Sequence, residues 1–178
     1  MKKLLIMYAQ YLEKTNASVV ELLGKLTEAE RERDRGSYYK SLSGLLKHIF
    51  GATLLFQSLF RQALAADSKA RRVLNAVKAS VPEKKLDDAV FKAMAESFAV
   101  ANAATVKFVK ALEEGELTCK VKISWYGGKP GAVPLFFLFN QFVMHTVHHQ
   151  GQISQILDEL KVEHDFSGID VKLVPKAR

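Results

Sequence analysis

The chain has 178 residues, of which 48% are hydrophobic and 25% charged, and a chain of this length can bury an apolar core without disulfides or a structural metal ion. Its single cysteine, Cys119, excludes an intramolecular disulfide, and no run of about 18 uncharged apolar residues is present to span a membrane. The net charge of +7 is dispersed and interleaved with acidic residues, as in residues 30–35, so a solvated basic surface is favoured and nucleic acid is not an expected partner.

No break in composition divides the sequence, and we therefore expect a single domain over residues 1–178. The apolar run Leu4–Met7 is soon interrupted by polar residues, and no cleavage-site pattern follows it. It therefore favours the first turns of a helix over a secretion signal. We expect a cytoplasmic protein.

Two long helices and a short one are predicted in the first third of the chain. Apolar residues recur at intervals of three and four between residues 4 and 26, which is typical of an amphipathic helix. Thr27 and Glu30 have the spacing of a capping box, which predicts a short helical turn. A second long helix is predicted over about 41–66, and its core-facing line contains Leu45, His48, Ala52, Leu55 and Leu59.

The middle of the chain combines helices with one short strand. A short helix is predicted near residues 68–79, and a third long helix is predicted over about 84–113, after the break at Pro82. Over residues 117–124 apolar and polar side chains alternate, which predicts a short, half-buried strand. Residues 125–131 then form a turn region that leads either into a partnering strand or directly to the next helix.

A fourth long helix is predicted over about 134–160, with Pro134 in its first turn. The tail from Glu163 onward is expected to be irregular and to lie over the helices. Four long helices and one small β segment predict an all-α fold: a four-helix bundle with a short β excursion between helices three and four.

The predicted fourth helix carries a histidine pair with metal-ligand spacing. His145 and His149 lie on its apolar line, whereas His148 lies on a more polar line about 100° around the helix. Residues four apart on a helix project in the same direction, so both imidazoles can reach one metal ion. His48, on the core line of helix two, is the candidate third ligand. Three imidazoles leave a coordination position open for water or a thiol, as in catalytic sites.

Other catalytic motifs are weak or missing. Taken by itself, the His-x-x-x-His spacing is more often found in structural histidines than in metal ligands. Thr146 follows the first histidine, where a zinc protease would have glutamate, so a metalloprotease is not supported. Neither a Ser-His-Asp set nor a P-loop is evident, and Cys119 is expected to be a small buried hydrophobe.

Several motifs between Tyr11 and Gln152 match those of a known family. They are Tyr11 and Asn16 in helix one, the segment ERDRGSYYKSLSGLLKH that ends at His48, the GKP turn at Gly128–Pro130 with Pro134 and Leu135, and HTVHHQGQI from His145. In these motifs the chain resembles the DinB-like family of damage-inducible bacterial proteins. The chain departs from the common family pattern at Gln150, Phe56 and Thr53, where relatives often have arginine, tryptophan and an acidic residue. No carboxylate that would orient a ligand histidine is evident.

The resemblance implies a four-helix bundle, usually dimeric, with a three-histidine metal site to which His48, His145 and His149 correspond. It also implies that the metal activates a low-molecular-weight thiol for transfer or isomerisation, as in characterised relatives. The divalent metal is expected to be zinc or nickel, and iron and cobalt also suit three imidazoles. The apolar run at residues 135–139 must be buried on nearly every side, which together with the family habit favours a homodimer.

Two functions therefore lead, and DNA binding, motivated by the net charge of +7, is a weaker third. The first is a metal-dependent enzyme, either a hydrolase or a thiol S-transferase, that acts on a small molecule through a metal held by His48, His145 and His149. The second is a non-enzymatic, stress-related bundle that binds a ligand or a partner, in which the histidines are structural or vestigial. The metal content of the purified protein separates these two functions.

Overall fold

The computed structural model describes residues 1–125, 127, 129, 131–166 and 168–173 of the chain. Seven helices and one antiparallel strand pair are formed within this part. The helices are α1 (Lys2–Gly24), α2 (Glu28–Glu32), α3 (Leu42–Ala63), α4 (Lys69–Asn75), α5 (Asp88–Ala111), α6 (Leu135–Glu159) and α7 (Ile169–Lys172), and the strands are β1 (Lys120–Lys122) and β2 (Ala132–Pro134).

The four long helices α1, α3, α5 and α6 form a bundle, as predicted. Helix α1 packs against α5 and α6, and α3 packs against α6 and α5. Each long helix buries one apolar stripe, and the stripes meet in two core clusters. Phenylalanines fill much of this core, among them Phe50, Phe60, Phe98, Phe108, Phe139 and Phe142. None of the described helices is long and apolar enough to cross a membrane.

The helix boundaries differ from the predicted ones where capping and tertiary contacts decide them. The capping box of Thr27 and Glu30 is present at the start of α2. Helix α5 begins four residues later than predicted, because the Asp87 side chain accepts a hydrogen bond of 2.8 Å from the backbone N–H of Val90 and caps the helix there. Helices α3 and α4 end earlier than predicted, at Ala63 and Asn75.

The β segment is shorter than the alternation predicted. Leu117, Val121 and Ile123 are buried and the lysines between them are exposed, but residues 114–118 form a 3-10 turn and only Lys120–Lys122 pair with a partner. The partner is β2, so the chain takes the hairpin alternative. In the predicted turn region 125–131, the residues Tyr126, Gly128 and Pro130 lie outside the described part.

Two further details correct the prediction at the two ends of the last long helix. Pro134 is the last residue of β2 and the N-cap of α6, so it precedes the first helical turn. The tail is not wholly irregular: Phe166 is buried, and residues 169–172 form α7, which packs against α1. The buried side chain of Phe166 holds the tail in place. The residues around it are mostly polar, so the sequence did not predict this contact.

Candidate metal centre

His48 lies in the second turn of α3, where the chain enters the bundle. The N-terminus of α3 is capped by Ser41, whose side chain accepts a hydrogen bond of 3.1 Å from the N–H of Gly44. One turn further along, the half-buried side chain of His48 points toward α6. The sequence expectation that His48 borders the core is confirmed.

The three histidines of α6 separate as the helical period predicts. His149 is buried and His145 is half-buried, whereas His148 is exposed to solvent. His145 and His149 are four residues apart and lie on one helix face, whereas His148 directly precedes His149 and points about 100° away from it. Helix α6 packs on α3 along the same face, which places His145 and His149 beside His48.

The imidazoles of His48, His145 and His149 converge on one point. The Nε2 atoms of His48 and His145 are 2.9 Å apart. The ring centroids of His149 lie 4.4 Å from His48 and 4.5 Å from His145. One nitrogen from each ring can be chosen so that all three lie within 4.8 Å of one another, and the three residues predicted to act together are therefore neighbours in space.

A hydrogen bond determines which nitrogen of His149 is free. Nδ1 of His149 lies 2.7 Å from Oε1 of Gln152, and an amide oxygen can only accept, so Nδ1 carries the proton and donates. The lone pair of His149 is then on Nε2. This is the arrangement by which a metal-ligating histidine is usually oriented, with an amide oxygen in place of the more common carboxylate.

The three imidazoles are held in their uncharged form. Burial, and secondly the neighbouring His149, lowers the pKa of His48 to about 4. Burial and the neighbouring histidines likewise lower the pKa of His145 to about 4. Burial also lowers the pKa of His149, although the hydrogen bond to Gln152 opposes this effect. At neutral pH the nitrogen lone pairs are therefore free of protons and available as ligands.

The donor set fits a divalent metal ion. Zinc–imidazole bonds of about 2.0–2.1 Å place two nitrogens of a tetrahedral site roughly 3.3 Å apart, a few tenths of an ångström more than the distance between the Nε2 atoms of His48 and His145. Among the described residues, the cluster contains three imidazoles and neither a carboxylate nor a thiolate. Three neutral nitrogens suit zinc, nickel, iron and cobalt.

A cavity of about 720 Å³ opens beside the histidines. Its wall is mostly apolar, and His48 and His145 form part of it. The remaining lining residues are Tyr39, Gly44, Lys47, Gly51, Ala52, Leu55, Phe56, Val81, Trp125 and Gln141. The sequence placed Leu55 on the core-facing line, but its side chain is 52% exposed, because the cavity occupies the space that it faces.

The matching family model is that of the DinB family, and it covers residues 1–164. The chain belongs to the DinB family. No curated protein and no solved structure matches the chain at a significant level.

The positions that depart from the usual DinB family pattern have structural roles here. Gln150 is buried and donates hydrogen bonds from Nε2 to Thr15 Oγ1 at 2.9 Å and to Asn16 Oδ1 at 2.8 Å, which ties α6 to α1. The hydroxyl of Thr53 donates to the carbonyl of Ile49 within α3. None of these contacts reaches a histidine of the cluster.

Sequence reasoning missed two polar partners of the cluster. Gln152 lies three residues after His149 on α6, and this spacing could have identified it as a neighbour. Tyr39 precedes α3, in a segment without helical period, so no sequence pattern places it. Its ring stacks on His48 with centroids 4.0 Å apart, and its hydroxyl lies 3.0 Å from His48 Nε2. Burial raises the pKa of Tyr39, so the hydroxyl keeps its proton at neutral pH.

The lowered histidine pKa values predict an acid-sensitive metal-free protein. The unfolded chain takes up protons at an ordinary histidine pKa of about 6.5, whereas folded His48 and His145 take them up near pH 4. The free energy of unfolding of chelator-treated protein should therefore fall as the pH is lowered from about 6.5 to 4. Urea unfolding at several pH values measures this fall.

Matched variants test the assignment of this acid sensitivity. In His145→Gln, one of the two imidazoles with a strongly lowered pKa is removed, and the fall in stability should be smaller than in the wild type. The exposed His148 provides the control, since His148→Gln should show the wild-type fall. Equal falls in the wild type and His145→Gln would contradict the assignment.

Proposed function

We propose that this DinB family member is a metal-dependent enzyme that binds one divalent ion through His48, His145 and His149. The convergence of three uncharged imidazoles beside a cavity is the observation that supports this proposal. Three protein ligands leave at least one coordination position for a nucleophile or a substrate, as catalytic metal sites require. We propose zinc or nickel as the metal, with iron and cobalt as alternatives.

The bound metal would lower the pKa of a thiol or a water molecule and so supply a nucleophile at neutral pH. The residues of the chain provide the conditions for this chemistry. Gln152 orients His149 by the hydrogen bond to Nδ1, and burial keeps all three ligand nitrogens unprotonated. We favour a low-molecular-weight thiol as the nucleophile, in a transfer reaction, because the family resemblance points there, and hydrolysis by water is the alternative.

The cavity wall indicates the character of the second substrate. Phe56 and Trp125 contact each other edge to face on one side of the cavity, with ring centroids 6.2 Å apart, and Leu55 and Val81 also line it. Apolar walls bind an apolar body by excluding water from it. We therefore propose a small, largely apolar substrate whose reactive group lies beside His48 and His145.

Single alanine variants test metal binding. His48→Ala, His145→Ala and His149→Ala should each lower the metal affinity by on the order of 100-fold or more, because each removes one of three ligands. The exposed His148 is the matched control, and His148→Ala should retain the metal. All four variants should keep the helical circular dichroism of the wild type, since the core does not depend on the metal.

Two results of the metal titrations would contradict the proposal. Loss of metal in His148→Ala with retention in His149→Ala would refute the ligand assignment. Failure of the wild type to bind near one equivalent, even after reconstitution, would refute metal-dependent catalysis and favour a non-enzymatic binding role.

Thiol binding can be followed by intrinsic fluorescence, because the chain has one tryptophan and Trp125 lines the cavity. Titration of the zinc-loaded protein with cysteine or glutathione should change the fluorescence saturably. The S-methyl derivative of the same thiol should fail to do so, because a thioether has no proton to lose. Metal-free protein should not respond to the thiol, and an equal response with and without metal would contradict thiol activation.

We also propose a homodimer that forms along the exposed side of α6. Of the apolar run at residues 135–139, Leu135, Leu138 and Phe139 are buried within the chain, whereas Phe137 remains 49% exposed. Met144 and Val147 are exposed further along α6, at the spacing of one helix face. A stripe of this kind is covered when a second copy packs against it.

Light scattering tests the dimer. The wild type should have twice the chain mass at micromolar concentration, and Phe137→Glu should shift the protein toward the monomer, because it places a charge in the apolar contact. Val100→Glu is the matched control, since Val100 is a similarly exposed apolar residue on α5, and it should remain dimeric. A monomer mass for the wild type would overturn this proposal.

A further inference from the structure

The hydroxyl of Tyr39 belongs to the same group of atoms as the histidine nitrogens. It lies 3.0 Å from His48 Nε2, and that nitrogen lies 2.9 Å from His145 Nε2. The Tyr39 ring also meets the ring of His149 edge-on, with centroids 5.2 Å apart. Tyr39 therefore contacts the rings of His48 and His149. Its hydroxyl also lies beside His48 Nε2, the nitrogen that approaches His145.

The backbone before α3 holds Tyr39 in this position. Lys40 has a positive φ of 63°, and its N–H donates to the carbonyl of Ser37 at 2.9 Å, which closes a tight turn. The carbonyl of Tyr39 lies 1.9 Å from the point where a Cβ on Gly44 would stand. Only glycine permits this approach, so the segment that carries Tyr39 lies directly against the first turn of α3 and its ring reaches His48.

His48 Nε2 cannot serve the Tyr39 hydroxyl and a metal ion at once. The neutral ring has one lone pair available for a proton or a metal. If the pair binds a metal, it is no longer available for the hydrogen bond with the Tyr39 hydroxyl, whose oxygen lies 3.0 Å from this nitrogen. Ligand atoms that share a tetrahedral metal ion are separated by roughly this distance, so the same metal is the partner that remains within reach.

We propose that the Tyr39 oxygen is a fourth protein ligand of the metal, beside His48, His145 and His149. This inference rests on the proposed metal site. When the oxygen–metal bond forms, the O–H bond breaks and its proton leaves to solvent, in keeping with the proton release that accompanies metal binding. With the Tyr39 oxygen bound, the thiol or water of the proposed function would enter as a fifth ligand, an expansion that catalytic zinc sites allow. It would enter from the cavity, which Tyr39, His48 and His145 all line.

Copper(II) is the probe for this ligand, because its affinity for nitrogen and oxygen ligands is the highest among the first-row divalent metals and a bound phenolate gives it a visible charge-transfer absorption. The wild type is compared with Tyr39→Phe, which removes the oxygen but keeps the ring that stacks on His48. Tyr38→Phe is the matched control, since Tyr38 adjoins Tyr39 in the chain and is 90% exposed.

With one equivalent of copper bound, the wild type and Tyr38→Phe should show the charge-transfer band and Tyr39→Phe should lack it. Electron paramagnetic resonance establishes that the copper in each protein is held by imidazole nitrogens. Zinc titration should show an affinity lower by about tenfold or more in Tyr39→Phe than in Tyr38→Phe.

The outcomes separate this inference from the proposed function. Copper held by imidazoles in a wild type without the band, or a band retained in Tyr39→Phe, would overturn the role of Tyr39 and leave the three-histidine site intact. A wild type that binds no metal, or binds it without imidazoles, would overturn both.

Discussion

The packing of α3 on α6 is the contact on which the candidate site depends. It brings three uncharged imidazoles together in a half-buried space where none of them can ionise at low cost. Aromatic contacts beyond the histidines support this packing, with Phe56 against Phe142 at 5.2 Å and Phe60 against Phe139 at 5.8 Å between ring centroids. The site thus adjoins the aromatic core, since the Phe56 ring contacts Phe142 and His145.

The rotation of α6 is fixed by a polar network on the side away from the histidines. Gln150 donates to Thr15 and Asn16 of α1, and Asn16 donates in turn to Asn102 of α5 at 2.9 Å. Successive helical residues point about 100° apart, so a helix that directs Gln150 toward α1 directs His149 toward α3. A buried network of this kind specifies one arrangement, because any other rotation leaves its polar groups unpaired.

The sequence was sufficient to predict the bundle and the proximity of the three histidines. Both follow from the helical spacing of apolar residues, which the tertiary structure did not override. The separation of His148 from His149 is an example, since one residue is exposed and the next is buried. Features that depend on contacts between distant segments escaped prediction. Tyr39 reaches the site through a turn that requires Gly44, and Leu55 faces a cavity that no periodicity reveals.

The proposed chemistry requires one metal ion held among His48, His145 and His149. Crystals of the zinc-loaded protein, with diffraction data collected on both sides of the zinc absorption edge, test it most directly. We expect one strong anomalous peak in each chain, about 2.0–2.1 Å from Nε2 of each of the three histidines. A peak elsewhere, or none at this cluster in protein that carries zinc, would contradict it.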